Sequence, residues 1–553
     1  MIQQAQYSLD IHGHRVSVII DGCPFAQLDM RTAVNGLDDA YQTMADVDSM
    51  EPELISATEK DHITTLTWKS KSNLWEEKTY TLICDPLRFQ YKVTVKGKGR
   101  VDSVAYFYGN GEKSEYEFQD GFTPCLSYYN QEDYHFKAMV GCHRWSVLMV
   151  PPMFAYAFRC EGIARQLGLG LVAKKGQHNF HAFDYKAENG FWLETDQHGH
   201  TELEDEWTAP AIIGYAAEEE YRAMEKYAQY YFSSGIAEPR KKQDIPRFWY
   251  GPIACGWIEQ FARKDYENAP AFRCCEPLYR EYLDRLHVGG LDPKILIIDD
   301  KWQTEYATDV ADKERWPDLR AFVDEQHKKG LATMLWFKVF DPEGLTDGFI
   351  EADMAGGAVD PPAKKIDPSH PAFLKVLDAA LERIFGNGAD CYDCDGIKID
   401  YAFMNPIGRK FKTYSGKYGV ELLYDYMEHI YRKVKSIKPQ AIINCSACHP
   451  YFAHMVDHAR LHDYDPSNRF CREDLMFRAK MYHIACPDSL IDTDNGGYST
   501  HRDTMRCMLE QASYGIPDIY GVSPFHKVTF SEDDLAALSQ VWQEYSRNID
   551  AKY

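Results

Sequence analysis

The stretch Ile295-Leu296-Ile297-Ile298-Asp299-Asp300-Lys301-Trp302 decides the fold. Four consecutive apolar residues with no polar alternation suit a strand covered on both faces, as in a parallel sheet. Seven further runs of this kind lie at residues 248–256, 332–340, 396–403, 441–447, 460–463, 489–494 and 516–522. Between them come stretches of helical spacing, such as 319–329, 372–385, 420–435 and 502–513, and a last one at 533–547 closes the chain. Strand and helix in alternation require a parallel sheet. Eight runs spread over about 300 residues predict a (β/α)8 TIM barrel, whose strands are numbered 1 to 8 below. A doubly wound open sheet is the alternative, but no Gly-x-Gly-x-x-Gly follows any run to supply its nucleotide crevice.

Before residue 240 the period is different. Residues 14–20, 62–68, 78–84, 89–95 and 101–108 alternate in Val, Ile, Thr, Tyr and Phe between turn signals such as Asp21-Gly22 and Gly109-Asn110-Gly111. That pattern predicts antiparallel strands with one wet face, hence a β-sandwich. Residues 216–232 carry Tyr221, Met224, Ala228 and Tyr231 at helical spacing, and Pro239 and Pro246 mark the linker. The fold class is therefore α/β, an N-terminal β-sandwich with a linker helix over residues 1–240 and a catalytic barrel over 241–553.

A chain of 553 residues accommodates two such domains. Sixty-one basic against 84 acidic residues leave a net charge of −23, which repels phosphate backbones and argues against a nucleic-acid partner. The 15 cysteines are scattered without the dense spacing of a disulfide framework and read as buried thiols. The first six residues lack the basic and apolar regions of a signal peptide. The most apolar stretch, 145–158, falls short of the roughly 20 residues a membrane span needs and contains Pro151-Pro152. A cytoplasmic protein without a membrane partner is the expectation, and homo-oligomerisation is left open.

In a TIM barrel the strands' C-terminal ends surround the active site. Those ends carry Trp257 after strand 1, Asp299, Asp300, Lys301 and Trp302 after strand 2, Trp336 and Lys338 on strand 3, and Asp400 on strand 4. Cys445 follows on strand 5, Asp463 and Asp465 after strand 6, and Asp492 and Asp494 after strand 7. Carboxylates can accept from sugar hydroxyls in pairs and indoles can cover the apolar C–H faces of the ring, so this rim suits a neutral carbohydrate. Two carboxylates from different strands can cleave a glycosidic bond, one as nucleophile or base and one as general acid. In Asp395-Gly396-Ile397-Lys398-Ile399-Asp400-Tyr401 the period of two puts Lys398 and Asp400 on one face, where the ammonium favours an ionised nucleophile. Asp463 is the candidate acid, expected to be protonated through burial and negative neighbours.

Asp299-Asp300-Lys301-Trp302, Lys398-Ile399-Asp400, Asn444-Cys445-Ser446 and Asp463-Tyr464-Asp465 together resemble the α-galactosidase clan of retaining glycoside hydrolases, in particular the family 36-like branch with an N-terminal β-sandwich. The resemblance covers residues 249–521. It implies an α-galactosidase-like retaining α-glycosidase that needs no cofactor and acts on an oligosaccharide or α-glycoside. Asp400 would be the nucleophile and Asp463 the acid/base, with carboxyls roughly 5–5.5 Å apart. Asp299 and Asp300 would hold the 4- and 6-hydroxyls, Lys398 the hydroxyls near the 3-position, and Trp257, Trp302 and Trp336 the apolar faces. Cys445 would line the pocket beside the 2-hydroxyl, and Asp465 of the strand-6 motif and Lys338 would be further substrate-binding residues.

The chain departs from the family where Lys301 replaces a usual Gly, where Lys338 replaces a usual acid, and where Ala447-Cys448-His449-Pro450 replaces a Gly-rich loop. The usual C-terminal β-domain is also not expected. Lys301 and Lys338 raise the question of an anionic or modified sugar. Two other functions compete. His454 and His458 at i, i+4, with His449 and His462 nearby, allow a metal-dependent hydrolase, and loss of catalysis would leave a carbohydrate-binding protein. Cys391, Cys394, Cys445 and Cys448 have the residue types of a zinc site, but a barrel puts the two pairs at opposite strand ends.

Overall fold

The computed structural model describes residues 1–122, 149–187, 189–240, 245–265, 273–352, 363–461, 463–464, 466–467 and 471–551. Three antiparallel sheets make up the N-terminal part, one of nine strands and two of five. Alternation sets the pairing. Glu77–Cys84 and Phe89–Lys96 alternate between half-buried and buried residues and pair from Phe89 opposite Cys84 to Lys96 opposite Glu77. The turn between them is closed by Asp85, whose Oδ1 accepts from the Leu87 and Arg88 amides at 2.7 and 3.0 Å. Inward residues such as Trp68, Tyr80, Tyr91 and Tyr106 fill the core, each no more than 0% exposed. The expected helical stretch at 216–232 divides in two. Ala211–Ala217 is a strand buried along its whole length, between Gln166–Val172 and Phe89–Lys96, and the helix runs Glu220–Ser233.

The second part is the expected barrel. Its strands are Ile253–Cys255, Ile295–Ile298, Ala332–Lys338, Gly396–Asp400, Ile442–Cys445, His458–Arg460, Leu490–Asp492 and Asp518–Ile519, all parallel, in the spatial order 7-6-5-4-3-2-1-8. A parallel bridge from Asp492 to Ile516 joins strand 7 to the segment entering strand 8 and closes the ring. Residues of strands 1, 2 and 5 are all buried, as two covered faces require. Strand 6 begins two residues earlier than its apolar run suggests. Helices follow the strands in turn except after strand 5, where the 3-10 turn Pro450–Met455 leads directly into strand 6. Leu319–Lys328 starts at Asp318, whose side chain accepts from the Ala321 amide, and Glu532–Asp550 starts at a Ser531/Asp534 capping box.

The loop after strand 5, where the sequence departs from the family pattern, serves as a dock for the sandwich. The Val150 amide donates to Ser446 O and the Cys448 amide to Pro151 O, both at 2.9 Å. The buried His449 shares a 3.0 Å hydrogen bond with the Tyr227 hydroxyl of the linker helix. Burial lowers the pKa of His449 well below the ordinary histidine value, so the contact is made by a neutral ring. Residues at this loop are committed to holding the two parts together.

Candidate active site

Strand 4 brings Lys398 and Asp400 to one face, as its alternation demands. Lys398 is 4% exposed and donates to Asp299 Oδ2 at 3.0 Å and to the Tyr520 hydroxyl at 3.2 Å. Burial opposes its charge, but Asp299 and the more distant Asp494 outweigh that and hold its pKa well above the ordinary lysine value. Asp299 also accepts from the Cys255 thiol at 3.0 Å, and its amide donates to Tyr279 OH at 2.8 Å. Lys398 is thus engaged by a carboxylate one strand beyond its neighbour rather than by Asp400.

Three donors among the described residues hold Asp400. The Tyr401 amide reaches Oδ1 at 2.9 Å, Arg460 Nη2 reaches Oδ1 at 3.1 Å, and Trp336 Nε1 reaches Oδ2 at 3.1 Å. Its side chain keeps 16% of its surface exposed, so the carboxylate is oriented yet open to a substrate. Arg460, on strand 6, is 1% exposed, and it also donates to Ile399 O at 3.0 Å and reaches Asp494 Oδ2 at 3.5 Å. Burial works against its charge, and Asp400 and Asp494 overcome that to raise its pKa. Asp494 accepts a short hydrogen bond from Tyr520 OH. Arg460 opens the apolar run of strand 6 rather than ending it, so strand-end position gives no sign of it; the inward parity of its own strand is the signal that does.

The other carboxyls gather around one ring. Tyr401 is pushed up to about 12, first by burial and then by the charges of Asp400, Asp300, Asp463 and Asp299 in that order. Asp300 is itself raised to about 6 by burial and by Asp299, offset by a hydrogen bond with Tyr306 and by Lys338 and Lys301. Asp463 is exposed, not buried as expected. Arg478 fixes its backbone by donating to Asp463 O and Leu461 O at 2.9 Å each. Gly496 leaves room for its side chain, since a Cβ there would stand 2.6 Å from Asp463 Oδ1. Asp465 and His462 lie outside the described residues. Lower in the barrel, Asp492 accepts from Asn444 Nδ2 at 2.6 Å and is raised by burial and by Asp494.

The three tryptophans differ in what they offer. Trp336 bonds Asp400 and lies 5.7 Å from the Tyr306 ring and 6.0 Å from the Tyr401 ring. Trp257, half-buried, opens a short helix and meets Phe261 edge-on at 4.7 Å. Trp302 is completely buried and donates from Nε1 to Trp336 O at 2.8 Å, so it supports Trp336 and presents no face to a sugar. Cys445 also misses the pocket. Asn444 pairs in register with inward Lys398 and points into the barrel, so Cys445 points out toward the helix layer, where Cys486 lies.

Backbone strain marks the same rim. Lys301, Phe340, Tyr401 and Asp494, following strands 2, 3, 4 and 7, have φ of 66°, 66°, 65° and 48°. Left-handed non-glycine residues cost about 1–3 kcal/mol each and concentrate where function requires them. Lys301 therefore stands in a conformation that glycine adopts without cost. Its ammonium is paired with Glu343 at 2.6 Å.

The histidine pair of the metal reading is not assembled. His454 lies in the 3-10 turn Pro450–Met455, whereas His458 begins strand 6, fully buried beside Trp249. Among the described residues the two groups close enough to share an ion are His181, Asp196 and His198 in the sandwich and Asp324, His327 and Asp393 on the barrel's other side. Cys391 and Cys394 precede strand 4 while Cys445 ends strand 5. No helix among the described residues is long and apolar enough to cross a membrane.

No family model and no curated protein matches the sequence. Solved structures do match the fold. A family 31 sulfoquinovosidase from E. rectale, in complex with an aza-sugar inhibitor, aligns over 98% of this chain and 83% of its own, with 12% identity and a TM-score of 0.57. The cycloalternan-degrading enzyme from Trueperella pyogenes aligns over 98% and 82%, with 12% identity and a TM-score of 0.52. An α-galactosidase from Thermus thermophilus, in complex with p-nitrophenyl α-D-galactopyranoside, aligns over 92% and 94%, with 13% identity and a TM-score of 0.51. At these identities the chain shares the fold of α-glycoside hydrolases.

Proposed function

We propose that this protein is a retaining α-glycosidase that removes a terminal α-linked sugar by double displacement. The observation that carries the proposal is the Asp400 carboxylate, held at the end of strand 4 by the Tyr401 amide, Arg460 and Trp336, with the charges of Asp300 and Asp463 acting on the same Tyr401. Three donors favour the ionised form and aim one oxygen at the anomeric carbon. In the first step that oxygen attacks the anomeric carbon while Asp463 gives its proton to the glycosidic oxygen, and the aglycone leaves. In the second, Asp463 takes a proton from water, the hydroxide attacks the same carbon, and Asp400 is released. Two inversions give net retention. Asp299, Asp300, Lys398 and Trp336 are assigned to the sugar's hydroxyls and apolar face. An α-galactoside is the first substrate to test, because the motifs resemble those of α-galactosidases.

The test pairs Asp400→Ala with a panel of aryl α-glycosides, assayed with and without azide. Turnover should be lost in the variant and return with azide as a glycosyl azide of β configuration, because the anion replaces the missing carboxylate. Unchanged turnover in Asp400→Ala removes the nucleophile assignment. Absence of turnover by the wild type, with sugar binding retained, favours a carbohydrate-binding protein, and loss of turnover with chelator favours a metal-dependent hydrolase.

A further inference from the structure

We infer that the terminal sugar carries an anionic substituent, a carboxylate, sulfonate or phosphate, held by the ammonium of Lys338 beside the Tyr306 and Tyr401 rings and by that of Lys365 on the hairpin tied to the end of strand 3. The inference rests on the glycosidase reading above and names the substrate class of that site. Lys338 ends strand 3, and its Nζ lies 4.2 Å from the Tyr306 ring centre and 4.6 Å from that of Tyr401. Those two rings border the carboxyl cluster, so this ammonium faces the space a sugar would fill. Its carboxylate partner is Asp341, at 2.7 Å.

Lys365 comes from the hairpin of Phe349–Ala352 and Ala363–Ile366, which is tied to the end of strand 3 where the Ile366 amide donates to Phe340 O at 3.1 Å. It is 4% exposed. Its closest polar contact is the Met404 thioether at 3.9 Å, a weak acceptor, and no carboxylate of the described residues lies within 4.0 Å of it. Burial and Lys338 lower its pKa, partly offset by Asp341, to about 8, so at neutral pH it remains mainly charged. The balance of charge is then simple. Lys301 is matched by Glu343 and Lys338 by Asp341, with Asp300 acting on both, whereas Lys365 has no carboxylate of the described residues in contact with it. The Lys365 ammonium is thus a buried surplus charge without a close carboxylate among the described residues, and such a charge is strongly disfavoured. A neutral sugar leaves that surplus unpaired, while an anionic group pairs it.

The experiment compares 4-nitrophenyl α-glucoside and α-galactoside with their uronide, 6-sulfonate and 6-phosphate counterparts, on the wild type and Lys365→Met. One anionic arm should exceed its neutral parent at least tenfold in kcat/KM and so identify the anion. Lys365→Met should cut that ratio at least tenfold, mainly through KM, and should melt no lower than the wild type, since methionine replaces an unpaired buried charge. A neutral parent preferred by the wild type, or a ratio unmoved by Lys365→Met, overturns the inference. Should no glycoside be turned over, the glycosidase reading fails by itself, and calorimetric titration with glucuronate, glucose 6-sulfonate, glucose 6-phosphate and glucose decides the subsite. Anion-selective binding that Lys365→Met abolishes upholds it, and equal or absent binding of all four sugars overturns it.

Discussion

Replacing Arg460 by Met should destabilise the barrel in a pH-dependent way. The guanidinium sits 3.1 Å from Asp400 and 3.5 Å from Asp494, and both it and Asp494 are about 1% exposed. Charges roughly 4 Å apart attract by about 4 kcal/mol at an effective dielectric near 20. The hydration that the guanidinium regains on unfolding offsets part of this, and removing one partner of a buried pair costs about 3–5 kcal/mol. For a domain of this size that is a fall of roughly 5–15 °C in Tm. In the variant Asp400 and Asp494 lose the guanidinium, and the more distant Lys398, 3.8 Å from Asp494, replaces it only in part, so the folded state binds protons more tightly than it does with arginine in place. The deficit should therefore be full at pH 8 and shrink toward pH 5, as protons replace the missing charge. Differential scanning calorimetry of wild type, Arg460→Met and Arg460→Lys at the two pH values reads it out. Lysine should recover part of the loss, since it restores the charge but cannot span both carboxylates. A Tm for Arg460→Met within about 2 °C of wild type at pH 8, or a deficit that does not narrow at pH 5, would refute the reasoning.

Three further outcomes follow from the same geometry. Trp336→Phe keeps a ring but loses the 3.1 Å bond to Asp400, and should lower kcat/KM about 10- to 100-fold, the range for a hydrogen bond to a charged group; steady-state kinetics on the best aryl glycoside checks this. Gly496→Ala places a methyl 2.6 Å from Asp463 Oδ1 and should lower kcat while leaving Tm within a few degrees, and an unaltered kcat would detach Asp463 from the acid/base role. With Asp300 raised to about 6, its accepting carboxylate is lost as pH falls through that value. KM should then rise below about pH 6, and Asp300→Asn should raise KM at pH 7 and flatten its pH dependence.

Much of this arrangement is legible in the chain itself because the signals are local. Unbroken apolar runs mark buried parallel strands, and a run that ends on Asp299-Asp300 or on Asp400 announces which end of the barrel is polar. Alternation within Gly396–Asp400 correctly puts Lys398 and Asp400 on one face. At strand 5 the same alternation turns Asn444 inward, not Cys445, whose role beside the 2-hydroxyl is only what the resemblance implies.

What the sequence alone determined is the sandwich, the barrel and the carboxylates at the strand ends, since each depends on a period of two to four residues. Pairings across the barrel were decided only by the tertiary structure. Lys398 meets Asp299 from 99 positions away and Tyr520 from 122, Arg460 meets Asp400 from 60, and Trp302 supports Trp336 from 34. Lys365 acquires its meaning only when a hairpin folds it against the end of strand 3. No local pattern encodes such meetings, because they depend on the register in which the strands close into a ring. That register decides which buried charges meet a carboxylate and which, like Lys365, do not.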